Sequence, residues 1–185
     1  MKFLICIKKE FLEFLKNKKW FALFVVFLIG NFILVNKGIQ NLSLYQGVFL
    51  SVLIFQFIFD VTKNDFTTGG MIFLLNIKTS FISILLSKFF FALVIYGLFL
   101  ISSTLGGGIS ALAILRLFLL VIFVTFLSYF VTILTKGNDI FSLIITLVLG
   151  VYSMYLPTIL AIICSFVVCG VIYPIFNSKY FRNLL

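Results

Sequence analysis

Few side chains in this sequence are equipped for chemistry. It has no histidine, five acids (Glu10, Glu13, Asp60, Asp65 and Asp139) and three cysteines (Cys6, Cys164 and Cys169). None of the acids falls inside the long apolar runs that dominate the chain. Intramembrane hydrolysis, metal chemistry, lipid transfer and a proton relay therefore all lack their usual residues. The cysteines have no metal-site or redox spacing and read as small core or lipid-facing residues. There is no G-x-x-x-x-G-K-[ST] phosphate loop, so ATP is not bound by that route. No catalytic, cofactor-binding or metal-ligating residue is assigned, and the chain is expected not to be an enzyme. What remains is a set of polar side chains within apolar runs: Gln46, Ser51 and Gln56, then Tyr96, Ser102 and Ser103, then Thr125, Ser128 and Thr132. Polar groups are costly in a membrane and mark either a pathway or helix contacts. Hydroxyls more often knit helices together.

The elements that carry these residues follow from composition. Of 185 residues, 63% are hydrophobic and 10% charged, with a mean hydropathy of +1.30. Soluble domains are roughly 45–50% apolar and about 25% charged. Lipid is thus the expected solvent, and in lipid every backbone polar group must be paired internally, which leaves helices or closed barrels. The apolar runs are continuous rather than alternating, so helices are expected. Six runs approach or reach spanning length: Trp20 to Val35, Leu42 to Phe59, Ile84 to Leu105, Leu117 to Leu134, Ile140 to Tyr155 and Thr158 to Tyr173. The expectation is one all-α transmembrane domain over residues 1–185. No small-residue cleavage site follows Val35, so the first run reads as retained.

Lysine and arginine set the orientation. With the N-terminus inside, twelve of the fourteen basic residues lie on the cytoplasmic side: Lys2, Lys8, Lys9, Lys16, Lys18, Lys19, Lys63, Lys78, Lys88, Lys136, Lys179 and Arg182. Only Lys37 and Arg116 lie outside. This asymmetry predicts six spans with both termini cytoplasmic, and it accounts for the net charge of +9 without a nucleic-acid partner. Ahead of the first span, Leu4, Ile7, Phe11, Phe14 and Leu15 recur at helical spacing, with Lys2, Lys9, Glu13 and Lys16 on the other face. That pattern predicts an interfacial amphipathic helix over residues 2–16, its lysines toward anionic headgroups. The outer connections are short: Asn36 to Asn41, the turn from Gly106 to Arg116, and the Leu156-Pro157 corner. Arg116 is expected to snorkel to the outer interface.

The longest inner connection is Asp60 to Lys88, DVTKNDFTTGGMIFLLNIKTSFISILLSK. Charged and turn-forming residues lead through Gly69 and Gly70 into the apolar piece Met71 to Leu75, followed by Asn76, Lys78 and Ser80. A short helix parallel to the membrane is expected there. Asp65, Gly69, Leu74, Leu75 and Asn76, followed by Ile84, Leu85, Leu86, Ser87 and Lys88, together with Asn17-Lys18-Lys19-Trp20 and Leu134-Thr135-Lys136, resemble the membrane subunits of the ABC type-2 transporter family. The motif covers about 30 residues, and the topology covers the whole chain. Lys78 and Gly70 depart from the family, standing where proline and threonine are common. The Pro157 corner leaves little room for the external re-entrant helices that many members carry.

The resemblance implies a permease subunit of an exporter, paired with a second copy or a similar permease in a prokaryotic plasma membrane. ATP and magnesium would then be held by a separate ATPase subunit. Asp65, Phe66, Gly69, Leu74, Leu75, Lys78 and Lys88 would form the ATPase-coupling region, and Gln46, Ser51, Gln56, Ser128 and Thr132 would be pathway or helix-contact residues. The tiny outer loops favour a hydrophobic molecule or amphipathic peptide as cargo. A vitamin-importer substrate subunit and a non-transporting scaffold or immunity protein stay open as alternatives, although Phe21 to Leu34 has none of the A-x-x-x-A faces by which such importer subunits dock.

Overall fold

The structure is a computed structural model, and it describes residues 2–38, 42–67, 81–135 and 137–155. Among the described residues there are six helices: α1 (Lys2–Lys16), α2 (Lys18–Asn36), α3 (Leu42–Thr67), α4 (Phe81–Gly106), α5 (Ala111–Thr135) and α6 (Asp139–Tyr155). Helices α2 to α5 are long and apolar enough to cross a membrane, whereas the apolar stretch found in α6, Asp139–Val148, is shorter. The sixth apolar run, the Leu156-Pro157 corner and the short helix expected after Gly70 lie outside the described residues, as do Gly69, Leu74, Leu75 and Lys78.

Two boundaries differ from the sequence reading, each for a local reason. Asp60, expected to open the connection, lies instead within α3, which continues for two further turns to Thr67. Its charged residues find partners along the way, so they do not end the helix. Asp60 accepts a hydrogen bond from Trp20, Lys63 pairs with Asp139, and Asp65 pairs with Lys9 and Lys88. At 26 residues α3 is about 39 Å long. Likewise α5 begins at Ala111 rather than Leu117, which puts Arg116 inside the helix. Ser110 caps it by accepting from the Ala113 N–H at 3.3 Å. The glycines Gly107 (φ 139°) and Gly108 (φ 103°) make the preceding turn with backbone angles that other residues rarely adopt. At the next turn Gly137 (φ 74°) closes α5, and Asn138 caps α6 through the Ile140 N–H at 2.9 Å.

Helix α3 sits at the centre, packed chiefly on α5 and α6, while α4 packs on α1, α2 and α5. Phenyl rings fill the junction. Phe14, Phe57 and Phe91 meet with centroids 4.6–5.3 Å apart, and Phe24 and Trp20 pack beside them. Lipid tails are as apolar as leucine, so such contacts stabilise through shape and dispersion rather than by escape from water. Helix α2 rests mainly on α4 and only lightly on α3. Its outward face, including Val26 and Ile29, is exposed.

The amphipathic helix α1 has the predicted extent, but its inward stripe is Cys6, Glu10 and Phe14, one residue per turn. Phe14 is inward as expected. Leu4 and Leu15 are not: they are 66% and 57% exposed, because the helix is rolled so that a carboxylate faces the bundle.

Helix α2 lies close against α4 at Gly106, where an added Cβ would lie 2.9 Å from the Phe32 carbonyl oxygen and from the Val35 Cβ. Gly97 has nothing within 4 Å of that position. Gly106→Val should therefore destabilise the chain by about 1–3 kcal/mol. Gly97→Ala should be neutral or stabilising by up to about 1 kcal/mol. Thermal unfolding in detergent, followed by circular dichroism, checks both.

Candidate functional site

One end of the bundle gathers nearly all the described charges. At its centre is Lys88, 1% exposed, eight residues into α4. Its ammonium donates to Glu10 Oε1 and to Asp65 Oδ2, each at 3.1 Å, and both acids are 2% exposed. Lys9 pairs with the other Asp65 oxygen and with Glu13 at 2.9 Å. Three helices are thereby joined: α1 through Lys9 and Glu10, the last turns of α3 through Asp65, and the first turns of α4 through Lys88. An isolated buried charge is prohibitively costly, so these groups hold one another in place.

The electrostatics of α1 follow from this crowding. Burial pushes the Glu10 carboxyl above its ordinary value, although Lys88 and Lys9 pull the other way. Burial opposes the Lys9 ammonium, but Glu10 and Asp65 outweigh it and hold the lysine more firmly protonated than usual. Burial, reinforced by Glu10, also pushes the Cys6 thiol up, which makes it a poor nucleophile. The cluster holds two cations and three carboxylates, so a proton on Glu10 brings it to neutrality.

Two pairs flank the joint. Trp20 Nε1 donates to Asp60 Oδ2 at 3.0 Å, fixing the start of α2 to α3. Lys63 Nζ bridges both Asp139 oxygens at 2.6 and 2.7 Å, fixing α3 to the start of α6. An added Cβ on Gly137 would come within 2.8 Å of the Lys63 side chain, so the glycine makes room for this pair.

The opposite end holds amides and hydroxyls. Asn31 donates to Ser103 Oγ at 2.9 Å and to Ser102 Oγ at 3.2 Å, and accepts from Gln46 Nε2 at 2.9 Å. This ties α2, α3 and α4 together. Between the ends, Gln56 pairs with Thr146 of α6, and Ser128 of α5 donates to the Phe55 carbonyl of α3 at 2.7 Å. Ser51 and Thr132 stay within their own helices, bonded to the Val48 and Ser128 carbonyls. Among the polar residues singled out from sequence, Gln46, Gln56, Tyr96, Ser102, Ser103 and Ser128 thus join helices, and of these Gln46 also lines a lateral cleft between α2 and α3.

The expected coupling residues separate into three groups. Asp65 and Lys88 come together in the ionic joint, facing inward, so they hold the ends of the connection instead of presenting a surface. Phe66 lies in the last turn of α3. Gly69, Leu74, Leu75 and Lys78 lie outside the described residues. Sequence reasoning missed Glu10, which it left unassigned, and Asn31, and it turned Lys9 outward. The available signal for Glu10 was its place on one helical stripe with Cys6 and Phe14. For Asn31 it was a lone amide in an apolar run.

Fold and site together define an α-helical membrane protein with a buried ionic joint at one end of its bundle. No family model matches the sequence, and neither a curated protein nor a solved structure matches the chain.

Removing Lys88 strands Asp65 and Glu10, so Lys88→Met should cost about 3–5 kcal/mol of stability at neutral pH. Glu10 responds differently. Its pKa in the folded chain is raised above 4.5, so its favourable contribution is complete below that value and is lost as pH rises through the raised one. Glu10→Gln mimics the protonated acid. It should match the wild type at low pH and become the more stable of the two as pH rises, read from melting temperatures across a pH series in detergent.

Proposed function

We propose that this chain is the membrane-spanning permease subunit of an ATP-binding-cassette exporter, with ATP and magnesium held by a separate ATPase subunit. In this reading the charged end is cytoplasmic, α1 lies along the inner leaflet, and the chain crosses a prokaryotic plasma membrane six times with both termini inside. It works as a homodimer or beside a similar permease. The cargo is a hydrophobic molecule or amphipathic peptide.

The observation that carries the reading is the ionic joint. It clamps α1 to both roots of the connection between α3 and α4, the connection whose residues resemble an ABC type-2 coupling region. A partner pressing on that connection would move α1, α3 and α4 as one body, because a buried charge cluster does not yield by degrees. Asp65 and Lys88 then act as positioning residues. Phe66, Gly69, Leu74, Leu75 and Lys78 form the contact with the ATPase. The asymmetry between the two ends, with Lys37 and Arg116 alone at the far one among the described basic residues, supports the orientation.

Affinity purification of the tagged chain from its native membranes should recover a P-loop ATPase. Deleting Gly69 to Leu75 together with Lys78→Glu should reduce that recovery at least tenfold while melting temperature is retained. Equal recovery with the variant, or no nucleotide-binding protein with the wild type, would overturn the proposal.

A further inference from the structure

The acids of the sequence are all engaged at the charged end. Glu10 and Asp65 face Lys88, Glu13 meets Lys9, Asp60 accepts from Trp20, and Asp139 meets Lys63. The lysines are not all engaged. Lys8, Lys16, Lys18 and Lys19 are exposed, and among the described residues none of the four forms an ion pair. The outer side of this end is therefore cationic, because its counter-charges have been drawn into the joint.

The same side is apolar. With Cys6, Glu10 and Phe14 turned inward, the opposite face of α1 presents Leu4, Ile5, Leu12 and Leu15, all exposed, and Lys8 and Lys16 stand among them. These six positions share an arc of about 120° around the helix. The level of α1 matters as well. Helix α3 is about 39 Å long against a hydrocarbon core of about 30 Å, and its surplus lies at the charged end, where Asp65 holds α1. That sets the face of α1 level with the headgroups.

We propose that this face of α1, together with the start of α2, is a binding surface for anionic phospholipid. The four ammonium groups take the phosphates, and the exposed leucines and Ile5 sink between the acyl chains. Lys8 and Lys16 lay their stems along the leucines to reach the headgroups. Helix α1 is then held on both faces, by the ionic joint on one and by lipid charge on the other. The surface deepens the placement of α1 on a leaflet and rests on that placement, but it needs no ATPase partner.

Trp20 is the single tryptophan in the sequence and lies beside this surface, with the Lys19 ammonium 5.3 Å from its ring centre. The full chain is reconstituted in mixed bilayers of phosphatidylglycerol and phosphatidylcholine, with brominated acyl chains on one lipid or on the other. Quenching of Trp20 then gives the relative binding constant of the two lipids. At low salt it should favour phosphatidylglycerol about fivefold, the ratio that about 1 kcal/mol supplies. The preference should fall toward one at about 1 M salt, where charges act over only about 3 Å. Combining Lys8→Gln, Lys16→Gln, Lys18→Gln and Lys19→Gln should also bring it to one, and because these side chains are exposed and unpaired the fold is kept. Lys37→Gln, at the far end, should leave it fivefold. Equal quenching of the wild type by the two lipids would overturn the proposal, and is the result expected if an acidic protein covers this face instead. So would a preference that survives the four substitutions, and the exporter reading would stand in both cases. Quenching by neither lipid would overturn the proposal together with the placement of α1 on a leaflet.

Discussion

An ammonium group set where water does not reach must bring its counter-charges with it, and Lys88 is such a group. The positions of three helices follow from meeting that requirement. Helix α3 runs past the apolar part of its sequence to deliver Asp65. Helix α1 folds back across the bundle and rolls until Glu10 faces inward, at the expense of leaving Leu4 and Leu15 exposed. The phenyl cluster around Phe14, Phe57 and Phe91 then closes over the apolar side of the same junction.

The two ends of the bundle are held by different physics. Full charges bind one end, where Trp20–Asp60 and Lys63–Asp139 extend the joint to α2 and α6. At the other end neutral amides and hydroxyls bind α2 to α4, and Gly106 lets the two backbones close. Individual polar bonds between membrane helices contribute about 0.6 kcal/mol on average, so the amide end is the weaker of the two. Helix α2 is fixed firmly to α4 and loosely to α3, which is why a cleft opens on that side.

This division bears on function. A clamp of paired charges at the roots of one connection suits a chain that receives force there, since rigid coupling requires that the roots not slide independently. The looser α2–α3 side opens laterally. Its polar end holds a buried acceptor without a partner, Gln46 Oε1.

Much of this was legible in the sequence. Lipid leaves few backbone solutions, so apolar run lengths alone predicted α2, α3, α4 and α5, and periodicity predicted the extent of α1. The gathering of the described charges at one end was readable as well, because the basic residues fall on alternate connections of the sequence. Tertiary structure alone decided which residues meet. Asp65 and Lys88 were singled out from sequence as a surface for a partner, yet both point inward, because Lys88 donates to Asp65 and to Glu10, 78 positions away on another helix. Asn31 and Ser103, 72 positions apart, could not be paired by any local pattern. Periodicity reports which face of a helix is apolar. It does not report which buried charge another helix will satisfy, and here that pairing set the roll of α1, the length of α3 and the place of the joint.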